Sequence, residues 1–158
     1  MDALGDAPNV IIFPPLVPVT TLVVAAVLQW FWPLGFVADL AIAWRLPVGV
    51  VLVISGIELM ASGRRSLTKG GTNVNPSQPT LVLVVRGVYE WTRNPLYVGG
   101  CAVMWGAALL FALDWLPLIF PLSLVVLHFG IIKPEEEYLE RKFGDVYREY
   151  KSHVRRYF

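Results

Sequence analysis

Cysteine is almost missing from this chain: Cys101 is the only one, so no internal disulfide framework forms and no cysteine cluster is left to hold zinc. Charge is scarce too. Asp, Glu, Lys and Arg make up 16% of the 158 residues, where a soluble domain carries about 25%. The formal net charge of +1 gives no sign of a nucleic-acid partner. No cleavable signal peptide is expected, because the opening MDALGDAP is acidic and the apolar stretch behind it is long enough to stay in a bilayer. There is no internal repeat, and no metal site is expected.

Apolar residues are abundant. They account for 56% of the chain, against about 45–50% in soluble domains, and the mean hydropathy is +0.58. The excess sits in long blocks, which predicts an all-α polytopic membrane protein. A transmembrane helix needs about 20 mostly apolar residues. Four segments qualify: Val10 to Trp32, with Pro14, Pro15 and Pro18 near its start, Leu46 to Ala61, Leu96 to Leu113, and Trp115 to Ile132. Little more than Asp114 and Pro117 separates the last two, which predicts a tight antiparallel hairpin. Trp30, Trp32 and Trp115 lie near the expected ends, as interfacial anchors do.

The basic residues orient these spans. Arg64, Arg65, Lys69, Arg86 and Arg93 follow the second span, while Lys133, Arg141, Lys142, Arg148, Lys151, Arg155 and Arg156 follow the fourth. Arg45 alone falls on the other side. The positive-inside rule then puts the long loop, the tail and both termini in the cytoplasm, with a bacterial inner membrane as the expected setting. The chain divides into N-terminal helices (1–63), a cytoplasmic loop (64–95), the hairpin (96–132) and a helical tail (133–158) of one membrane domain. The loop, with GGTNVNPSQP, reads as turns. In the tail, Pro134 suits a first helical turn and Glu135, Glu136 and Glu137 suit its positive end. Val146, Tyr147, Tyr150, Val154 and Tyr157 then recur at helical spacing, which predicts an amphipathic helix, with Gly144 bending the path before it.

Two polar clusters flank the third and fourth spans. One is YEWTRNPLYVGG, residues 89–100, and the other is Glu135-Glu136. A hairpin would bring both to one pocket opening to the cytosol. Arginine clamps carboxylates through paired hydrogen bonds, carboxylates accept from ribose hydroxyls or an ammonium, and rings such as Trp91 and Tyr97 cover an adenine or meet a sulfonium cation. Gly99, Gly100 and Gly106 allow close approach of a ligand or of a neighbouring helix. Each residue also has a plainer role: Arg93 as an interfacial charge, Pro95 as a first-turn residue, the glycines as packing contacts, the glutamates as a favourable helix start. Glu58, deep in the second span, calls for a partner such as a backbone carbonyl or His128. His128 itself reads as an interfacial or structural histidine, and Cys101 as packing.

The stretch RGVYEWTRNPLYVGG, followed by KPEEEYLERKFGDVYREYKSHVRRY, resembles the isoprenylcysteine carboxyl methyltransferase family, which belongs with the phospholipid N-methyltransferases. The pattern is met by Gly87, Tyr89, Arg93, Asn94, Pro95, Tyr97 and Gly99, then by Glu135, Glu136, Leu139, Phe143, Gly144, Tyr147 and Tyr150. It covers the C-terminal half, residues 86–158, and the TNVNPSQP loop also resembles bacterial members. Many members have histidine where Asn94 stands, so a proton-shuttling role at that position is weakened.

The resemblance implies a membrane methyltransferase that uses S-adenosylmethionine and takes an acceptor entering from the lipid, either an isoprenylcysteine-like carboxylate or a phospholipid amine. It also implies a cofactor site of Tyr89, Arg93, Asn94, Pro95, Tyr97, Gly99, Gly100, Glu135 and Glu136, with Arg93 and Glu136 in the catalytic roles. A carboxylate acceptor needs only a partner such as Arg93, whereas an amine or thiol must lose a proton, with Glu136, Tyr97 or His128 as candidate bases. A nicotinamide-dependent reductase of the sterol reductase type and a non-enzymatic membrane scaffold are the alternative functions. The acidic pair disfavours the extra phosphate of NADPH.

Overall fold

In hydrocarbon, a backbone amide has no water to bond, so apolar runs satisfy their amides within their own segment and become helices. The computed structural model describes residues 7, 8 and 10–157 of the chain. It is 69% helix, with no strand among the described residues. The helices are α1 (Leu16–Phe31), α2 (Ile42–Lys69), α3 (Pro95–Phe111), α4 (Trp115–Leu127), α5 (Lys133–Phe143) and α6 (Asp145–His153). A π turn (His128–Ile132) joins α4 to α5 without a break, and a short 3-10 turn (Gly87–Glu90) precedes α3.

Two of these stretches, Ile42–Lys69 and Trp115–Phe143, are long and apolar enough to cross a membrane, while Leu16–Phe31 and Pro95–Phe111 are shorter apolar helices. Only 17% and 33% of the most apolar windows of the two long stretches are buried inside the protein. Val23, Val27, Trp30 and Phe31 of α1, Val51, Ile54 and Ile57 of α2, and Leu118, Leu122 and Val125 of α4 stand exposed. An apolar surface of that extent is covered by lipid rather than water, which makes this an integral membrane protein.

Helix boundaries differ from the hydropathy reading at both N-terminal spans. The first helix starts at Leu16 and not near Val10: the prolines at 14 and 15 have no amide hydrogen to bond back to earlier carbonyls, so they suit a helix start and not its interior, and Ile11 N donates to Gly130 O at 3.0 Å. The second helix reaches Lys69 and not Ala61, so Arg64 and Arg65 lie on the helix rather than in the loop. Glu58 is correspondingly not a buried carboxyl in search of a partner. Its side chain is 66% exposed and pairs with Arg65 two turns along the same face, and Ser62 Oγ donates to it at 3.2 Å.

Glycine decides which helices touch. Gly49, Gly56 and Gly63 share one face of α2 at seven-residue spacing, and Gly99 and Gly106 do so on α3. A methyl group on Gly56 would sit 2.6 Å from the carbonyl oxygen of Gly99, and one on Gly106 would sit 2.7 Å from that of Gly49. The two backbones are therefore in direct contact along an antiparallel seam, as small residues permit in membranes. α3 packs chiefly on α2, and α4 packs chiefly on α1. α3 and α4, joined by only three residues, are not the pair in closest contact. Between them, Ala25, Met104, Ala108, Leu113 and Leu116 form one apolar core.

At the end away from α5, the buried Asp114 clasps the α1–α2 link. Its carboxylate accepts from Gln29 Nε2 at 2.9 Å and from the amides of Leu34, Gly35 and Val37 at 3.1, 2.7 and 2.6 Å. Asp114 N returns a bond to Gln29 Oε1 at 2.9 Å. Burial pushes this carboxyl up, and the bonds from Gln29 and the three amides outweigh it, leaving it below the ordinary carboxylate value.

Candidate functional site

Pro95 has no amide hydrogen to lose in a first turn and starts α3. The residues before it, Thr92 to Asn94, are tied to the tail. Arg93 N donates to Arg155 O at 3.0 Å, while Thr92 Oγ1 and Asn94 Nδ2 both donate to Arg156 O at 3.1 Å. Asn94 thus spends its amide on holding the C-terminal strap across the RNP turn.

The same strap delivers Arg156 to Glu136. Arg156 Nε lies 3.0 and 3.1 Å from the two carboxylate oxygens and Nη2 lies 2.7 Å from Oε2. Arg93 Nη1 approaches Glu136 Oε1 at 3.2 Å but out of hydrogen-bonding alignment. Its Nε and Nη1 are left buried without an acceptor, on a side chain only 8% exposed. A buried guanidinium with unmet donors is costly unless something completes it. One turn away, Tyr97 Oη donates to Glu135 Oε2 at 2.9 Å, joining the start of α3 to α5. The two polar clusters read from the sequence therefore converge.

They line a small cavity of about 90 Å³ that opens at its mouth, below the usual range for small-molecule sites, so a ligand of nucleoside size enters only as its walls part. Tyr89, Arg93, Asn94, Pro95, Tyr97, Glu135 and Glu136 all contribute to its wall. Gly99 and Gly100 do not: Gly99 faces Gly56 and Met60 in the helix seam, and Gly100 faces open space. Trp91 is 82% exposed and also lies outside the lining.

Other walls went unassigned in the sequence. Asn73, Asn75, Pro76 and Thr80 come from the loop after α2, and Tyr147 and Tyr150 come from α6. Side chains fix that loop: Leu81 N donates to Thr72 Oγ1 at 2.8 Å, Asn73 Nδ2 to Pro79 O at 2.8 Å, and Thr80 N to Tyr138 Oη at 3.1 Å. Tyr150 Oη donates to Tyr89 O at 2.7 Å. Burial pushes the Tyr147 phenol up to about 12 and raises those of Tyr89 and Tyr150 as well, so all three remain protonated at neutral pH. Tyr147 and Tyr150 were visible in the sequence pattern. Arg156 carried no signal that set it apart from Arg155 beside it.

A second, wholly different space adjoins the first. It is a groove of about 890 Å³ between α2, α3 and the α4–π turn, walled by residues such as Leu52, Val98, Trp105, Phe120 and Leu124. Tyr97 lines both spaces. His128 lies in this groove and is not bonded to Glu58; its Nδ1 is 2.7 Å from Tyr157 Oη.

A polar cavity with an uncompleted arginine and an apolar groove thus share one tyrosine wall. Comparison with known proteins agrees with the sequence resemblance. An alignment 80 positions long, covering 46% of this chain, is 40% identical to protein-S-isoprenylcysteine O-methyltransferase of Saccharomyces cerevisiae, and the match covers 30% of that protein's length. No solved structure matches. Residues 44–146, which carry α2, α3, α4, α5 and the cavity wall between them, match the phospholipid methyltransferase family, and the chain belongs to that family.

Proposed function

We propose that the chain is a membrane methyltransferase that takes S-adenosylmethionine into the polar cavity and a lipophilic acceptor into the apolar groove. The observation that carries this reading is Arg93: a buried guanidinium whose Nε and Nη1 lack acceptors, in a cavity walled by carboxylates and phenols. Those donors suit the carboxylate of an amino acid. Glu135, with one oxygen held by Tyr97, offers the other to an ammonium or ribose hydroxyl. Tyr89, Tyr147 and Tyr150 supply faces for an adenine or a sulfonium. Glu136 is assigned differently from the other carboxylate, because Arg156 and Arg93 already occupy it. It fixes the arginines rather than gripping the cofactor.

When bound, S-adenosylmethionine supplies an activated sulfonium methyl group. The protein's own contribution is alignment and exclusion of water. The groove's hydrocarbon walls keep the acceptor's tail in place and water out, and Tyr97 forms the boundary at which the two ligands would meet. In the bilayer, α1, α2, α3 and α4 form four spans, with α3 and α4 as a hairpin. The polar cavity, the α6 tail and both termini face the cytoplasm, on the asymmetry of the basic residues. The acidic wall and the family match both favour this reading over a nicotinamide-dependent reductase, and the cavity favours it over a scaffold.

The test is transfer of a radiolabelled methyl group from S-adenosylmethionine into the lipid-extractable fraction by purified protein in bicelles. Wild-type protein should label a lipid acceptor and Arg93→Ala should not. Equal labelling by the two would refute the assignment of the site.

A further inference from the structure

The apolar groove has one polar corner. Among its walls His128, Tyr157, Tyr97 and Cys101 carry the titratable groups, Tyr97 and Cys101 from α3 and Tyr157 from the tail, and among the described residues no carboxylate, lysine or arginine lines it. His128 opens the π turn between α4 and α5, and such turns are rare and concentrate at functional sites. Its Nδ1 is held by Tyr157 Oη at 2.7 Å, and its Nε2 has no hydrogen-bond partner among the described residues. Its ring is further fixed edge-on against Phe129, with centroids 4.7 Å apart.

Those features discriminate between acceptors. A carboxylate is already a nucleophile and needs a cation beside it, and this groove offers none. An amine or a thiol arrives with a proton it must lose, and an oriented imidazole is the side chain for that task near neutral pH. Resting on the methyltransferase reading above, we propose that His128 Nε2 is the proton acceptor for a protic nucleophile, an amine or thiol on a lipid tail, and that Tyr157 is its positioning residue.

In this arrangement Nδ1–H donates to Tyr157 Oη and leaves the Nε2 lone pair free to accept a proton. The acceptor's lone pair forms the new bond to the methyl carbon, and the carbon–sulfur bond breaks with its electron pair passing to sulfur. The proton moves from the nucleophile to Nε2. The sulfonium charge thereby disappears as an imidazolium charge forms, and the proton leaves later for water.

The experiment compares octadecylamine, octadecanethiol and stearic acid as acceptors in bicelles, with S-adenosylhomocysteine binding followed by thermal stability. Wild-type protein should methylate the amine or the thiol in preference to the acid. His128→Gln should bind S-adenosylhomocysteine normally and lose about 100-fold in turnover. Tyr157→Phe should bind it normally and keep activity at a reduced level, with His128 no longer held in one tautomer by nitrogen NMR, which separates positioning from folding. Independently of turnover, nitrogen NMR on histidine-labelled His153→Gln protein should find His128 as the Nδ1–H tautomer, with Nε2 perturbed by octadecylamine.

A His128→Gln protein with wild-type rate, an Nε2–H tautomer, or preference for stearic acid would each overturn the proposal and leave the methyltransferase reading intact. A wild-type protein that ignores S-adenosylhomocysteine would overturn both.

Discussion

Arg156 closes on Glu136 through Nε at 3.0 and 3.1 Å and Nη2 at 2.7 Å, while Arg93, the cavity's other arginine, touches the same carboxylate with one poorly aligned nitrogen. One arginine is satisfied and the other is not. Glu136's single charge faces both cations, of which Arg93 is buried and Arg156 partly exposed, and Arg156 takes the hydrogen bonds, which leaves Arg93 Nε and Nη1 without acceptors.

Arg156→Gln should therefore weaken the site without touching a ligand. Glu136 would turn its freed oxygens to Arg93, and binding of S-adenosylhomocysteine should fall by about 10-fold, a cost of about 1.4 kcal/mol. Calorimetric titration in detergent measures this, and unchanged affinity would count against the division of labour between the two arginines.

The glycine seam makes a prediction about stability alone. Gly99→Ala puts a methyl group 2.6 Å from the backbone oxygen of Gly56 and should cost about 1–3 kcal/mol by overpacking. Gly100→Ala, next along α3, meets nothing within 4 Å and should be neutral or slightly stabilising in the same helix. Reversible denaturation of the two variants in mixed micelles distinguishes them, and equal effects would contradict the seam.

Asp114 predicts a pH dependence. Its folded-state pKa lies below the ordinary value, so its stabilisation is fully present above the unfolded pKa of about 3.9 and fades as pH falls through the depressed native value. Asp114→Asn should lose about 3 kcal/mol, since an amide cannot accept from all four donors, and should flatten the acid limb of the stability curve. Thermal scans between pH 7 and 3 test the sign.

Much of this was legible in the residues. The clusters that hold Arg93 and Tyr97 and the Glu135–Glu136 pair are expected to share one pocket; in the structure Tyr97 bonds Glu135 and Arg93 approaches Glu136. Their types and spacing carried that information because a proline-started helix and an acidic helix start fix where side chains project. Gly99 was ambiguous, because a glycine that admits a ligand and one that admits a helix look the same until the facing surface, here Gly56, is known. Glu58 misled because hydropathy has no direction: it sits in an apolar run but on the face that carries Arg65. Arg156 was illegible, since its role depends on the strap of residues 155–156 folding back onto Thr92 and Asn94, a contact between segments far apart in the chain. His128's partner, Tyr157, was hidden for the same reason.

The most direct test is the thermal stability of the purified protein in detergent with and without saturating S-adenosylhomocysteine, for wild type and for Arg93→Ala. A ligand that binds only the folded state stabilises it by mass action, by about 2.7 kcal/mol at one hundred times its dissociation constant. The account predicts a rise in melting temperature for wild type and none for Arg93→Ala. An equal rise in both proteins would contradict it.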